Sequence, residues 1–377
     1  MKIKDLHSLF LNSTGVSTDT RSIKSGTIFF ALKGDNFNAN KFAADAIELG
    51  ALFSVVDEEP ETENDKLIVV DNVLEALQDL AHFHRKYLGI PIIAITGSNG
   101  KTTSKELISS VLSEQFTVFA TKGNFNNHIG VPLTLLEMDN STNIGVVEMG
   151  ANHIGEIRNL CEIVAPDYGY ITNFGKAHLE GFGSLQGVIK GKSELYDYLV
   201  STNGLVFINY DDSNQVKQIK DYNNIFEFSK SKNSDLKISM QAKTPFLKIN
   251  FLNQQIQSQL IGAYNFSNIA AAISIGHYFE LNFLKIKKGI ESYQPKNNRS
   301  QIIKQKSNTV ILDAYNANPT SMNAALDNFS LMKGDNKIVV LGDMFELGDE
   351  SFNEHKAVID LVNSLNFSST YYVGQHF

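Results

Sequence analysis

An α/β protein of three domains, the middle one a doubly wound and mostly parallel sheet, is what this sequence predicts. Three observations lead there. The chain has 377 residues, more than one ordinary domain holds. Short apolar runs alternate with helix-spaced segments from residue 91 onward. One of those runs, IIAIT (92–96), feeds directly into the glycine-rich turn GSNG and a helical segment. Hydrophobic residues make up 42% and charged residues 20%, as expected for a globular chain. The net charge of −8 and pI near 5.6 give no reason to expect a nucleic-acid or anionic-membrane partner. Cys161 is the single cysteine, so no intrachain disulfide can form and a reducing compartment is expected. The opening MKIKDLHSLFLNSTG lacks the apolar core of a signal peptide, and no run approaches the ~20 apolar residues that span a bilayer. A cytoplasmic location follows as an expectation.

Residues 1–89 read as a small α/β unit. TIFFAL (27–32), LFSVVD and LIVV are strand-like, and FAADAIELGA (42–51) has helical spacing that stops at glycine. LEALQDLAHFHRKYLG (74–89) is amphipathic and ends at Gly89 ahead of Pro91, a helix stop and an expected domain boundary. The second unit, 90–295, carries strands PIIAIT, NIGVVEMG, DYGYITN and GLVFINYDD, with helices such as SKELISSVLSEQ between. Residues 230–258 are more polar, and the weak alternation of LKISM and FLKINF suggests antiparallel excursions. YNFSNIAAAISIGHYF (264–279) reads as a buried, alanine-rich helix. In the third unit, 296–377, strands NTVILDAYN, NKIVVLGDM and STYYVG alternate with two helices. Three strands make a thin sheet, and the last lacks a covering helix, so this unit is expected to be incomplete.

GSNGKTT lies where ligands bind in doubly wound sheets, at the carboxyl end of a strand. The strict phosphate-loop pattern places a glycine five residues before Gly100, where this chain has Ile95; the first glycine is Gly97. The stretch is therefore a shortened phosphate loop or an ordinary βα turn. As a phosphate loop, Gly97 and Gly100 permit close backbone approach, and the amides of Ser98, Asn99 and Thr103 join the helix N-terminus as an anion cradle. Lys101 would reach the outer phosphates and Thr102 would offer its hydroxyl to Mg²⁺.

Other polar residues sit at telling places. Lys192, in GSLQGVIKGKSELYDYL (183–199), falls in the apolar stripe of Leu185, Val188, Ile189, Leu195, Tyr196 and Leu199, while Lys190 points away. Such a lysine either snorkels to the surface or is buried with a lowered pKa, able to add CO₂ and become a carbamate ligand. Glu148 ends NIGVVE and suits Mg²⁺ or a cap; His178 follows DYGYITN as a loop histidine. Asn124, Asn126 and Asn127 gather in TKGNFNNHIG, as substrate donors and acceptors or as turn formers. Asp313 and Asn316 follow the strand of ILDAYNANP. No Cys/His metal spacing and no Ser-His-Asp arrangement stands out.

Together, TGSNGKTT, TKGNFNNHIGVPLTLL, VVEMGANHIGEI, ITNFGKAHLEGFGS, KGKSELY, GAYNFSNIAAAI, LDAYNANPTSM and LGDMFELG resemble the Mur ligases, ATP-dependent amide-forming enzymes of peptidoglycan precursor synthesis. STDTRSIKSGTIFFALKG looks like the UDP-binding domain of that family, and DAYNANP with LGDMFELG resembles members that add D-alanyl-D-alanine to a UDP-N-acetylmuramoyl-tripeptide. The resemblance implies a UDP-substrate domain, a central ATPase domain and a Rossmann-like C-terminal domain, in a cytoplasmic monomer. It implies that Gly97 to Thr103 hold ATP phosphates, with Asn265 and Asn268 near the adenine, Arg299 at phosphate and Asp313 at the ribose. Thr102 and Glu148 would bind one Mg²⁺, with His178 and a carbamylated Lys192 serving a second; Lys101, His178 and Lys192 would be catalytic. Asn124, Asn126, Asn127 and Asn316 would face the muramoyl substrate. Family members continue past VGQHF through a Lys-Gly-Ser segment and a last helix–strand portion, which leaves open a nucleotide- or UDP-sugar-binding protein without ligase activity. A P-loop kinase or GTPase fits less well, since no guanine-reading Asn-Lys-x-Asp segment is present.

Overall fold

The structure is a computed structural model that describes residues 1–59, 64–230, 234–242, 246–296, 298–334 and 336–377. In the first unit, strands β1 (Val16–Ser17), β2 (Ile28–Phe30), β3 (Phe53–Val56) and β4 (Leu67–Val69) form one parallel sheet in that order. Helices α1 (Ile3–Leu11), α2 (Ala43–Glu48) and α3 (Val73–Leu88) accompany it. Asn72 caps α3 by accepting the amides of Leu74 and Glu75, and Gly89 ends it in the left-handed conformation at φ 62°. α3 does more than close the first unit. Arg85 donates to the carbonyls of Val164 and Ala165 and pairs with Asp167 at 2.7 Å, and Gln78 donates to the His128 carbonyl. This helix thus joins the first unit to the second.

The central unit runs β5 (Ile92–Thr96), α4 (Lys101–Leu112), β6 (Val118–Ala120), α5 (Gly130–Leu136), β7 (Ile144–Glu148), α6 (Glu156–Val164), β8 (Tyr168–Ile171), α7 (Leu179–Phe182), α8 (Leu185–Thr202), β9 (Leu205–Asn209), α9 (Ser213–Ile219), β10 (Ile225–Ser229), β11 (Leu236–Ala242), β12 (Lys248–Phe251), β13 (Gln254–Gln257), α10 (Phe266–Tyr278) and α11 (Phe283–Ser292). Its nine strands are ordered β13-β12-β11-β10-β9-β8-β5-β7-β6. From β6 to β11 every pairing is parallel; β12 and β13 turn antiparallel. The antiparallel excursion expected over 230–258 is therefore present, although LKISM first extends the parallel sheet; residues 231–233 and 243–245 of that stretch lie outside the described residues. Along β5, Ile92 and Ala94 face the core shared with α3, α5, α6 and α8, while Ile93 and Ile95 face the core of α4, α10 and α11. Alternate side chains thus serve opposite helical layers, which is why the strand is apolar throughout.

The third unit corrects one expectation. Its strands do not make a three-stranded sheet. A hairpin, β14 (Gln301–Gln305) with β15 (Asn308–Leu312), is antiparallel, and β16 (Ile338–Gly342) pairs in parallel with β17 (Ser369–Val373) as a separate ribbon. β14, QIIKQ, alternates too weakly to have been read as a strand; its partner β15 was expected inside a parallel layer. Helices α12 (Pro319–Leu331) and α13 (Ser351–Ser364) pack Met322, Leu326, Val358 and Val362 against Val339 and Leu341. Among the described residues no helix is long and apolar enough to cross a membrane.

Candidate functional site

The site begins where β5 stops. Gly97 has φ 141°, and a Cβ there would lie 2.0 Å from Thr172 Oγ1; Gly100 has φ 79°, and its Cβ would lie 2.6 Å from Asn268 Oδ1. Both positions require glycine for conformation and for space. The turn between them is tied to the end of β8. Ser98 N donates to Asn173 O at 3.0 Å, Asn99 N to Asn173 Oδ1 at 3.1 Å, and Thr172 Oγ1 to Asn99 O at 2.6 Å. α4 then starts at Lys101 with no side chain capping its N-terminus. Its first amides are left for an anion, reinforced by the positive end of the helix dipole. Lys101 Nζ folds back to the carbonyls of Gly97 (2.7 Å) and Ser98 (3.2 Å) rather than extending outward. Removal from water pushes its pKa below the ordinary lysine value; Glu148 opposes the shift and Arg299 adds to it.

Glu148 ends β7, beside the start of α4. Only 2% exposed, it accepts hydrogen bonds on Oε1 from Thr102 Oγ1 (3.2 Å) and Asn126 Nδ2 (2.9 Å). Its Oε2 is buried without a hydrogen-bond partner, 3.6 Å from the ammonium of Lys105. An orphaned carboxylate oxygen beside a threonine hydroxyl is a donor set for a hard divalent cation, which takes oxygen ligands and keeps its remaining places for water and phosphate.

Lys192 does not snorkel. It is fully buried on α8, its Nζ donating to Ala151 O at 2.8 Å and lying 5.0 Å from the centre of the Phe182 ring. Burial first, then the Lys101 charge, drives its pKa well below the ordinary value, with Glu156 and Glu194 opposing. The inward stripe of α8 begins at Val188; Leu185, expected in it, is 40% exposed because it lies in the first helical turn. His178 has left-handed φ 54° at the head of α7, and its Nδ1 meets the Glu346 carboxylate from the third unit. Burial lowers its pKa, Glu346 pulls it up, and Lys101 and Lys192 push it down.

The third unit supplies the opposite wall. The Arg299 guanidinium stacks 3.7 Å over the Tyr315 ring, with Nε unpartnered. Asp313 accepts from Ser300 N and Oγ, and Ser300 meets the Tyr264 hydroxyl at 2.8 Å. Burial raises the Asp313 pKa despite those bonds. Asn318 Nδ2 donates to Asn99 Oδ1 at 2.7 Å, bringing the N-terminus of α12 onto the glycine turn. Between the walls lies a cleft of about 930 Å³.

Of the residues expected from the sequence, Ser98, Asn99, Gly100, Lys101, Thr102, Thr103, Asn124, Asn126, Asn127, Glu148, His178, Asn265, Asn268, Arg299, Asp313 and Asn316 line this cleft. Gly97 and Lys192 do not; each acts from behind the wall, Gly97 against Thr172 and Lys192 through Ala151. Asn265 and Asn268 spend their amides on Ile261, Ser104 and each other, which seats α10 against Gly100. Asn127 Oδ1 accepts the amides of Ile129 and Gly130 in the turn that leads into α5, the turn-forming role open to it from the start. Sequence reading missed Lys105, Asn173, Tyr264, Tyr315, Asn318 and Glu346. Lys105 was detectable as the residue four after Lys101, on the same helical face; the others are assembled only by the fold. Among the described residues no group of three or more His, Cys, Asp or Glu side chains is placed to hold a metal.

Comparisons with known proteins bear on the chain as a whole. The family profile "Mur ligase middle domain" matches residues 95–276, and "Mur ligase, glutamate ligase domain" matches residues 298–376. The UDP-N-acetylmuramoyl-tripeptide--D-alanyl-D-alanine ligase of Bacillus subtilis (strain 168) is 37% identical over 353 residues, covering 91% of this chain and 76% of that protein. The protein of the same name from Escherichia coli (strain K12) is 34% identical, covering 96% and 81%. Among solved structures, a crystal structure of MurF from Acinetobacter baumannii superposes with TM-score 0.87 at 32% identity, over 98% of this chain and 85% of that one. MurF ligase from Thermotoga maritima in complex with ADP superposes with TM-score 0.84 at 25% identity, over 96% and 84%.

Proposed function

The chain belongs to the Mur ligase family, and from that premise we propose that it joins D-alanyl-D-alanine to UDP-N-acetylmuramoyl-tripeptide at the expense of ATP, in peptidoglycan precursor synthesis. One observation carries the chemistry: the Glu148 Oε2 without a hydrogen-bond partner, beside the Thr102 hydroxyl and the uncapped N-terminus of α4. Relatives of 31–37% identity that bear the ligase name support the choice of substrates.

In this reading the γ-phosphoryl group of ATP moves to the terminal carboxylate of the tripeptide, and the dipeptide amine displaces phosphate from the acyl phosphate. Both reactants are anionic, so the site must neutralise charge while holding an in-line geometry. The amides of 100–103, left open by the glycine turn and the uncapped start of α4, receive the phosphates, and Lys101, released from its own loop carbonyls, follows the charge to the outer phosphate. Arg299 faces the same cleft with a free Nε, and Asp313 with Tyr264 and Ser300 forms a polar corner fit for a ribose. Thr102 and Glu148 would hold Mg²⁺, which supplies Lewis-acid polarisation of the phosphoryl oxygens. Asn124, Asn126 and Asn316 would meet the muramoyl substrate. As an ammonium, Lys192 cannot ligate a cation; its lowered pKa favours the free amine that adds CO₂, and the resulting carbamate beside His178 would serve a second Mg²⁺. ATP as cosubstrate suits a cytoplasmic location, and a cleft whose described lining comes from one chain is compatible with a monomer. Domain limits of 1–89, 90–295 and 296–377 fit the separate sheets, with α3 as the bridge.

Phosphate release with ATP and UDP-N-acetylmuramoyl-tripeptide, measured with and without dipeptide, tests the reaction. Dipeptide-dependent release with formation of the pentapeptide product is the expected result; its absence refutes the ligase reading. Intact-mass measurement for a CO₂ adduct at Lys192, and rescue of Lys192→Ala by small carboxylic acids, test the carbamate.

A further inference from the structure

Lys105 has no assigned role, yet it is one of the least exposed charged residues in the protein. It lies on α4 one turn beyond Lys101, 3% exposed, with its ammonium 3.6 Å from Glu148 Oε2. That separation is too long for a hydrogen bond and short enough for a strong Coulomb interaction between two side chains this deeply buried. Glu148 Oε1 is held by two neutral donors, Thr102 Oγ1 and Asn126 Nδ2, and its backbone amide by Thr121 Oγ1. Among the described residues no donor hydrogen-bonds to Oε2, and besides Lys105 the carboxylate is met by the more distant charge of Lys101. A carboxylate this deeply buried is costly without a counter-charge.

We propose that Lys105 is the resident counter-cation of Glu148: its ammonium stands against the buried carboxylate beside the divalent-cation position, and gives up Oε2 to the metal when it binds. Lys105 is in this sense a positioning residue, acting through Glu148. The inference rests on the reading of Thr102 and Glu148 as the Mg²⁺ pair. It also explains the charge of the phosphate end of the cleft. Two ammonium groups, Lys101 and Lys105, face one carboxylate, leaving the excess positive charge that a nucleotide's phosphates require, and opposing a divalent cation that comes without them. Metal and nucleotide are thereby made to bind together.

The test uses Mn²⁺ as probe on the whole chain without nucleotide, followed by electron paramagnetic resonance or calorimetry at mildly alkaline pH. Lys105→Met, matched in length and uncharged, should bind Mn²⁺ at least about tenfold more tightly than the parent chain, because a repelling charge beside the ligand is gone. The same variant should bind free ADP more weakly, and its midpoint of thermal unfolding should fall without metal and recover with Mn²⁺. Lys105→Arg, which keeps the charge, should hold Mn²⁺ affinity near that of the parent. Unchanged or weaker Mn²⁺ binding in Lys105→Met overturns the inference, leaving Lys105 a packing residue. If Glu148→Gln leaves Mn²⁺ binding intact with and without ADP, the metal pair itself is misassigned, which is a different failure. Should Lys105→Met not fold, the double variant Lys105→Met/Glu148→Gln decides: a neutral pair should restore folding, and failure to do so counts against the charge relation.

Discussion

At the scale of single residues, Gly97 of the glycine turn and Lys101 at the start of α4 set the clearest expectations. Gly97 combines a positive φ with a neighbour, Thr172 Oγ1, 2.0 Å from where a Cβ would sit. Gly123 has φ 52° and open space around it. Gly97→Ala should therefore cost on the order of 2–3 kcal/mol in denaturant unfolding, since strain and clash add. Gly123→Ala should cost about 1 kcal/mol from backbone strain alone. Equal losses at the two positions would mean that Thr172 gives way and that the turn is not sterically locked. Lys101→Met belongs at the same scale. Its ammonium is spent on two loop carbonyls and suffers from burial, so unfolding should change little, while turnover falls by about 10²-fold or more for want of a charge at the transferring phosphoryl group. A variant that loses stability in parallel with turnover would assign Lys101 to the fold instead.

Among the elements, α3 carries the most distinctive device. His84 Nε2 lies 2.9 Å from the Met138 carbonyl, which only accepts, so that nitrogen carries the proton; Nδ1 is then bare and accepts from His7 Nε2 at 3.0 Å. The chain His7–His84–Met138 thus bonds α1 to α3 and α3 to the end of α5. Burial lowers both pKa values; at His7 the neighbouring His84 charge adds to the shift, and at His84 the Met138 carbonyl and Asp139 oppose it. A histidine lowered on folding binds fewer protons folded than unfolded. Its contribution is complete above the unfolded value near 6.5 and is lost as pH falls below it toward the folded value. The midpoint of thermal unfolding should accordingly drop as pH falls from about 7 to about 5. His84→Gln should flatten that dependence; an unaltered slope would place the acid sensitivity elsewhere. This device was not legible in the sequence, where His7 and His84 are lone histidines 77 residues apart. What was legible were features with local causes. β5 with its glycine turn, the Gly89 stop of α3 and the place of Lys192 within the apolar stripe of α8 follow from period and spacing. The walls of the cleft were legible only as a resemblance, since Asn318 meets Asn99 across 219 residues. The third unit was misread because NTVIL is an apolar run in either pairing, and only the tertiary context makes it the second strand of a hairpin.

Taken whole, the molecule closes its cleft by contacts between the segment after β8 and the third unit. Lys176 N donates to Thr320 Oγ1 at 3.1 Å and its side chain pairs with Glu354; His178 pairs with Glu346, whose carbonyl accepts from Glu180 N at 3.1 Å. Asn318 on Asn99 completes the seam. One of these contacts, Lys176 with Glu354, is an ion pair with a half-exposed partner, worth about 0–1 kcal/mol and sensitive to salt, while His178, its pKa lowered by burial, meets Glu346 through a hydrogen bond. A clasp of that strength would let the third unit part and close again, as the reaction proposed above requires. Replacing Glu346 and Glu354 together by glutamine should shift the chain toward an open form, seen as a larger radius of gyration in small-angle X-ray scattering. Raising ionic strength to about 1 M, where screening acts within ~3 Å, should do the same to the parent chain and little more to the variant. ADP should still bind, because the glycine turn and α4 belong to the central unit, whereas the amine-dependent step should slow. If scattering and salt dependence are the same in parent and variant, the neutral Asn99–Asn318 and Lys176–Thr320 bonds hold the seam, and closure is insensitive to charge.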